Sequence, residues 1–210
     1  MQPYFMPYAG YFRLMAATDL FVFYDCVQFP RRGWVHRNKL THKSGTSEWL
    51  TLPLAKGERD STRIMDLEWA EGAQGEWERR MSEFPALTGD SSLLAATRAL
   101  SGSPCDYIIN GLRMACEALN IKCGFAASSS LALPDTLKAQ DRILAIAEHY
   151  KATSYVNAPN GRELYDETAF RQRGIALSFL ADYRGKFASI LERLLTEPAD
   201  AVAQEIRSNL

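Results

Sequence analysis

Strands and helices are expected to alternate along the second half of the chain. Segments rich in apolar residues at 122–127, 153–157 and 175–180 predict strands. A helical pattern, capped by Asp135 or Thr136 and ending near residue 151, and a shorter helix at 167–173 lie between them. Because parallel strands are joined by crossover connections that usually contain a helix, this alternation predicts an α/β fold.

The first half opens with an expected loop, a helix at 10–18 and a strand at 20–24 that ends before Asp25. The clearest helical spacing of apolar residues lies at 105–119. Further strands are expected at 35–40, 49–54 and, from alternation, 63–69. We expect one domain over residues 1–210, with a C-terminal helical appendage at 185–210 that breaks at Pro198.

The charge balance and residue types narrow the function classes. The chain has 24 Lys and Arg against 25 Asp and Glu, a net charge of −1, which argues against a nucleic-acid partner. The apolar segment at 20–24 is far shorter than the about 20 residues of a membrane span, and the N-terminus lacks the pattern of a signal peptide. The four cysteines and three histidines have no ligand spacing. We expect a cytoplasmic protein with reduced thiols, no membrane span and no metal site.

The first twelve residues are a candidate binding segment. Two prolines and one glycine favour a rigid loop, and its tyrosines offer rings and hydroxyl groups to a nucleotide or a sugar. The alternative is an aromatic packing loop without a ligand. The candidate ligand contacts are Gln2, Tyr4, Tyr8, Gly10 and Tyr11.

A basic segment follows the first predicted strand. Five cations lie between residues 31 and 43, and no acidic residue occurs from 27 to 45. Arginines there could hold a phosphate while a ring packs on Trp34; the alternative is a solvated basic face. The candidate contacts are Gln28, Arg32, Trp34, Arg37 and Asn38.

Asp25 is the best single candidate for catalysis. It lies at the carboxyl end of a predicted strand, where α/β proteins bind ligands. It could act as a general base, or it could form an ion pair with Arg32 or Arg37.

Two later segments add candidate contacts. Cations in the first turns of a helix oppose the helix dipole unless they face a ligand or a carboxylate. The segment from 157 to 166 follows a strand and is otherwise read as a plain turn. The candidates are Lys138, Gln140 and Arg142 in the first group and Asn157, Gly161 and Tyr165 in the second.

These segments resemble the WbqC-like protein family. The similarity extends over nearly the whole chain and is carried by residues 1–12 (MQPYFMPYAGYF), 23–29 (FYDCVQF), 32–38 (RGWVHRN), 49–54, 138–142 and 155–166. The resemblance implies a bacterial protein of poorly defined activity, often associated with gene clusters for O-antigen and related surface polysaccharides.

The sequence departs from the family pattern at two places. Family members typically form a first strand just before the Gln-Pro pair, and this sequence starts at the motif, so we expect a shortened N-terminus or a misplaced start, with the first strand in doubt. The usual acidic pair is Asp25-Cys26 here, which leaves Asp25 alone and argues against a divalent-metal site.

The layout of residues 7–11 is also similar to the His-x-Gly-His signature of nucleotidyltransferases and class I synthetases, with tyrosines in place of both histidines. This similarity implies a Rossmann-like mixed or parallel sheet with flanking helices. ATP is a candidate cofactor, although the missing histidines argue against adenylyl transfer.

The expected function is a transferase that modifies a nucleotide- or lipid-linked amino sugar, by acyl or aminoacyl transfer, in surface-polysaccharide synthesis. The alternative is a non-catalytic accessory protein that binds a sugar nucleotide. In both cases the expected partner is a nucleotide sugar or another phosphorylated small molecule. We expect the opening loop and the basic segment to line one pocket.

Overall fold

A computed structural model describes residues 1–57 and 61–210 of the chain. The helices of these ranges are α1 (Ala9–Ala16), α2 (Ala73–Met81), α3 (Ser92–Arg98), α4 (Pro104–Ala118), α5 (Ala139–His149), α6 (Glu167–Gln172), α7 (Ile190–Thr196) and α8 (Ala199–Ser208). The strands are β1 (Leu20–Phe23), β2 (Arg37–Thr41), β3 (Ser47–Thr51), β4 (Gly124–Ala127), β5 (Ser154–Asn157) and β6 (Ala176–Phe179).

The six strands pair two by two within the described ranges. β1 pairs in parallel with β4, β5 pairs in parallel with β6, and β2 and β3 form an antiparallel hairpin. The order β4, α5, β5, α6, β6 shows the expected alternation, and the mixed α/β class is confirmed. The two parallel pairs are compatible with a Rossmann-like arrangement, although hydrogen bonds do not join them into one sheet.

Met1 lies beside β1 in the register of a parallel strand. Its amino group donates to the carbonyl of Val22 at 3.0 Å, and its carbonyl accepts from the Tyr24 amide at 2.8 Å. The opening loop therefore continues past the carboxyl end of β1. On the same side, a groove of about 350 Å³ separates β1 from β5.

Two apolar cores lie on either side of β1. Phe21 and Phe23 belong to the main core, whereas Val22 and Tyr24 pack against a second core built around α5 and Phe170. This division follows from the two-residue period of a strand, which turns alternate side chains to opposite faces.

The C-terminal helices are part of the main core. Ile190 and Leu191 of α7 and Val202 and Ile206 of α8 are buried in it. The break between the two helices lies at Pro198, as expected from the sequence. The C-terminal segment is therefore packed into the main core rather than attached to it as an appendage.

The expected strand at 63–69 is wrong. Residues Ile64–Asp66 form a 3-10 turn, and only isolated bridges connect Arg63 to Gln28 and Trp69 to Leu54. Ile64 and Leu67 are buried three residues apart, and Arg63 pairs with Asp66 at 2.7 Å, so the segment follows a three-residue period rather than two.

Other differences are smaller. Strand β2 begins at Arg37, two residues later than expected, and β3 begins at Ser47, two residues earlier than expected. Helix α5 begins at Ala139 rather than directly after Asp135. The expected turn at 158–161 is the start of a 3-10 helix, Pro159–Leu164. Helices α2 and α3 were not anticipated.

Candidate functional site

The carboxyl ends of β1 and β4 meet at Asp25, which is 3% exposed. Its Oδ1 accepts from the Ser128 hydroxyl and the Ser129 amide, both at 2.9 Å. Its Oδ2 accepts from the Ser129 hydroxyl at 2.5 Å. Asp25 is thus bound by serines of the 3-10 turn that follows β4, and not by Arg32 or Arg37. Ser129 is partly exposed, whereas Asp25 and Ser128 are buried.

The serines at 128–130 were missed by the sequence reasoning, as was Tyr24. A signal for the serines exists, since the Ser-Ser-Ser run directly follows the predicted strand at 122–127. Polar residues at the carboxyl ends of parallel strands are typical of ligand sites.

The opening loop and the basic segment lie side by side. The amide of Phe5 donates to the carbonyls of Val35 at 2.9 Å and of Trp34 at 3.4 Å. Asn38 is buried, and its amide group donates to the carbonyls of Phe5 and Met6. The structure therefore gives Asn38 the role of holding the opening loop against β2.

Within the opening loop, the predicted contacts divide into two groups. The rings of Tyr4 and Tyr11 are 5.6 Å apart, and the buried Tyr11 donates to the Gln2 carbonyl at 2.7 Å. Burial raises the pKa of the Tyr11 hydroxyl, so it remains a donor at neutral pH. Gln2 directly follows Met1, which pairs with β1.

Tyr8 and Gly10 face the C-terminal segment instead. Tyr8 packs on Phe187 and Tyr183, with ring centroids 5.0 and 5.4 Å away. A Cβ atom at Gly10 would lie 2.2 Å from the Tyr8 ring and 2.8 Å from the Tyr183 ring. The missing side chain of Gly10 thus permits aromatic packing here.

The basic segment is partly occupied by its own contacts. Arg37 donates to the carbonyls of Gly33 at 3.1 Å and Arg32 at 2.8 Å, and its guanidinium lies 4.2 Å from the Trp49 ring centroid. Trp34 packs on Trp49 at 4.8 Å. Trp34, Arg32 and Gln28 are exposed.

His36 adds no positive charge at neutral pH. Burial, together with the charges of Arg37 and Arg80, lowers the pKa of its imidazole to about 4. Lys43 pairs with Glu83 at 2.7 Å. The local positive field is therefore weaker than the sequence suggests.

The later candidates gather at the start of α5 and the end of β5. Gln140 Oε1 accepts from the Asp166 amide at 2.6 Å, and the hydroxyls of Tyr165 and Tyr155 are 3.4 Å apart. Gly161 packs against Asn157, since a Cβ would lie 2.8 Å from its amide nitrogen.

Tyr24 connects this group to the end of β1. Burial raises the pKa of its hydroxyl, while the positive charge of Arg142 opposes that rise and Tyr165 adds to it. Tyr24 and Asn157 line the same groove, and Tyr24 and Tyr165 both pack against the second core. Lys138 is exposed at the start of α5. The two groups of candidates therefore adjoin along one edge of the parallel strands.

Among residues 1–57 and 61–210, no three His, Cys, Asp or Glu side chains converge as metal ligands. No helix in those ranges has the length and apolar character to span a membrane. The four cysteines carry free thiols, and burial raises the pKa of Cys105 and of Cys116 to about 12.

The profile of the WbqC-like protein family matches residues 2–189. The chain belongs to the WbqC-like family. An uncharacterized protein of Mycobacterium tuberculosis (strain ATCC 25618 / H37Rv) is 26% identical to it over 192 residues, which cover 88% of this chain and 81% of the relative. No solved structure matches this WbqC-like sequence. The match covers the opening loop, Asp25 and the start of α5.

Proposed function

We propose that this WbqC-like chain is a transferase that adds an acyl or aminoacyl group to an amino sugar carried by a nucleotide or a lipid, in the synthesis of O-antigen or another surface polysaccharide. One observation carries the catalytic part. The partly exposed Ser129 donates its hydroxyl hydrogen to the buried Asp25 carboxylate, at the ends of parallel strands. The proposed role in surface-polysaccharide synthesis rests on what the resemblance to the WbqC-like family implies.

The chemistry requires a base. The sugar amine would attack the carbonyl carbon of an acyl thioester or an aminoacyl adenylate made from ATP and an amino acid. A C–N bond forms, and the bond from that carbon to sulfur or phosphate oxygen breaks, with the electron pair leaving on the donor. The amine proton passes to Ser129 as Ser129 gives its own proton to Asp25.

One observation favours the accessory protein as a second candidate. Both carboxylate oxygens of Asp25 already accept hydrogen bonds from Ser128 and Ser129. These hydrogen bonds could also have a purely structural role, since they join the ends of β1 and β4. An accessory protein would bind the same nucleotide sugar and present it to another enzyme.

Mass spectrometry of reaction mixtures separates the two. Purified protein is incubated with a nucleoside-diphosphate amino sugar and either an acyl thioester or ATP with amino acids. The transferase predicts an acylated sugar, with turnover about 10²- to 10⁴-fold lower in Ser129→Ala and Asp25→Asn. Asp200→Asn, at an exposed residue of α8, is the matched control.

Binding of the nucleotide sugar without product would identify an accessory protein. Neither binding nor product would contradict both candidates. Because Asp25→Asn also alters the strand contact, Ser129→Ala is the decisive variant, and its melting temperature confirms that it is folded.

A further inference from the structure

Helix α5 follows the carboxyl end of β4 in the chain and has cations in its first turns. Its N-cap residue is Lys138, and no side chain among the described residues caps the helix. The first N–H groups of a helix lack intrahelical acceptors and carry a partial positive charge. Asp141 is the acidic residue of this turn, and it is exposed.

Arg142, in the second turn of α5, is buried and has no negatively charged partner among the described residues. It is 8% exposed, and its Nη1 donates to the carbonyls of Pro134 at 3.1 Å and Leu137 at 3.4 Å, just ahead of the helix. Its Nε is buried without a hydrogen-bond partner. In the part of the chain that the structure describes, the acceptors of this guanidinium are backbone carbonyls and not carboxylates.

An isolated buried charge is costly, by several kcal/mol, unless a partner offsets it. The hydrogen bond to the Leu137 carbonyl holds the Arg142 guanidinium close to Lys138 and the first N–H groups of α5. An anion with several oxygens would accept from both kinds of donor.

We propose that Arg142 and the N-terminus of α5 bind a phosphate group of the ligand. Planar guanidinium groups and helix N-termini are both suited to phosphate oxygens. This inference rests on the proposed function for the identity of the ligand, a nucleoside-diphosphate sugar, and places its diphosphate at α5. The amino sugar would then extend toward Ser129.

Calorimetric titration with inorganic pyrophosphate at constant ionic strength tests the site without requiring turnover. Wild type should bind, Arg142→Met should bind about 10- to 100-fold more weakly, and Arg142→Lys should fall between them because lysine lacks the planar fork. Arg207→Met, at an exposed arginine of α8, should bind like wild type. Sulfate-free chloride buffer sets the baseline.

The outcomes are distinguishable from those of the transfer assay. Pyrophosphate binding that depends on Arg142 in a protein without turnover would support this site and reject the transferase. Equal binding by wild type and Arg142→Met, or no binding by wild type, would overturn the site whatever the turnover. If Arg142→Met does not fold, Arg142→Lys gives the comparison.

A second titration identifies the source of the phosphate. A nucleoside-diphosphate sugar and a sugar 1-phosphate are compared on wild type and Arg142→Lys. Tighter binding of the first, with the larger loss in the variant, supports a diphosphate at α5. Loss confined to the sugar 1-phosphate would contradict that assignment.

Discussion

Two of the three arginines that are buried among the described residues have opposite surroundings. Arg193, in α7, is 2% exposed and pairs with Glu205 at 2.7 Å and with Glu197 at 3.0 Å. Arg142, in α5, is 8% exposed and contacts only backbone carbonyls within the described residues. Burial opposes the charge of both, but two carboxylates outweigh it at Arg193 and raise the pKa of that guanidinium.

The difference indicates different roles. A buried cation with two carboxylates has its partners within the fold, and removing it leaves those carboxylates uncompensated. Arg142 has no carboxylate partner to leave uncompensated, and we propose that a ligand supplies its anion. Arg193 joins α7 to α8, whereas Arg142 lies in the first turns of α5, the helix that follows β4.

The largest expected effect is on stability at Arg193. Arg193→Met should lower the free energy of unfolding by about 3 kcal/mol, because Glu197 and Glu205 lose their partner. Urea denaturation measures it, with Arg207→Met as a control that should stay within about 0.5 kcal/mol of wild type. A loss at Arg193 no larger than that of the control would contradict a structural role.

The pH dependence of that loss sharpens the comparison. A hydrogen bond from Arg193 lowers the pKa of Glu197. At Glu205 burial raises the pKa, but hydrogen bonds from Arg193 and Tyr183 outweigh burial, and the pKa is lowered. Because these folded pKa values lie below the ordinary glutamate value of 4.5, their stabilisation is present above pH 4.5 and is lost as pH falls through the folded values. The difference between wild type and Arg193→Met should therefore shrink below that pH, and a difference constant with pH would refute the linkage.

At Arg142 the same substitution should have a smaller effect. Without ligand, Arg142→Met should unfold within about 1 kcal/mol of wild type, since two hydrogen bonds are lost but an unpaired charge is also removed. Urea denaturation in phosphate-free buffer checks this value. A loss as large as that at Arg193 would show that Arg142 is a structural residue.

The smallest effect is expected at Cys26, which lies beside Asp25 with its Sγ 3.1 Å from the Ser128 hydroxyl. Cys26→Ser keeps the size and the hydrogen bond, so nucleotide-sugar affinity should change less than about twofold. Titration calorimetry measures it. A large loss of affinity with an unchanged melting temperature would assign the thiol a direct role in binding.

The elements that follow a clear period were predictable from sequence. Helix α4 was expected at 105–119 and lies at Pro104–Ala118, and β1 lies within the expected 20–24. Segment 63–69 was wrongly predicted as a strand because four of its seven residues are apolar, and three of these alternate with polar ones. In the structure the buried side chains are Ile64 and Leu67, three residues apart. In α2, the spacing of Ala73, Trp77 and Met81 was a usable signal, although Gly72 and Gly75 weaken the helical pattern.

The site was less predictable, because hydrogen-bond partners distant in sequence decide each role. Asp25 was placed at the correct strand end, but its partners lie 103 and 104 residues away, at Ser128 and Ser129. Asn38 looked like a ligand contact because nothing local showed that it faces the carbonyls of the opening loop. The paired state of Arg193 and the unpaired state of Arg142 become visible only when the chain is folded.

A crystal structure of the protein with a nucleoside-diphosphate amino sugar tests the central claim most directly. We predict that diphosphate oxygens lie about 3 Å from the Arg142 guanidinium and from the first N–H groups of α5, with the sugar near Ser129. A diphosphate bound instead at the exposed pair of Trp34 and Trp49, with Arg142 still lacking an anion, would contradict it.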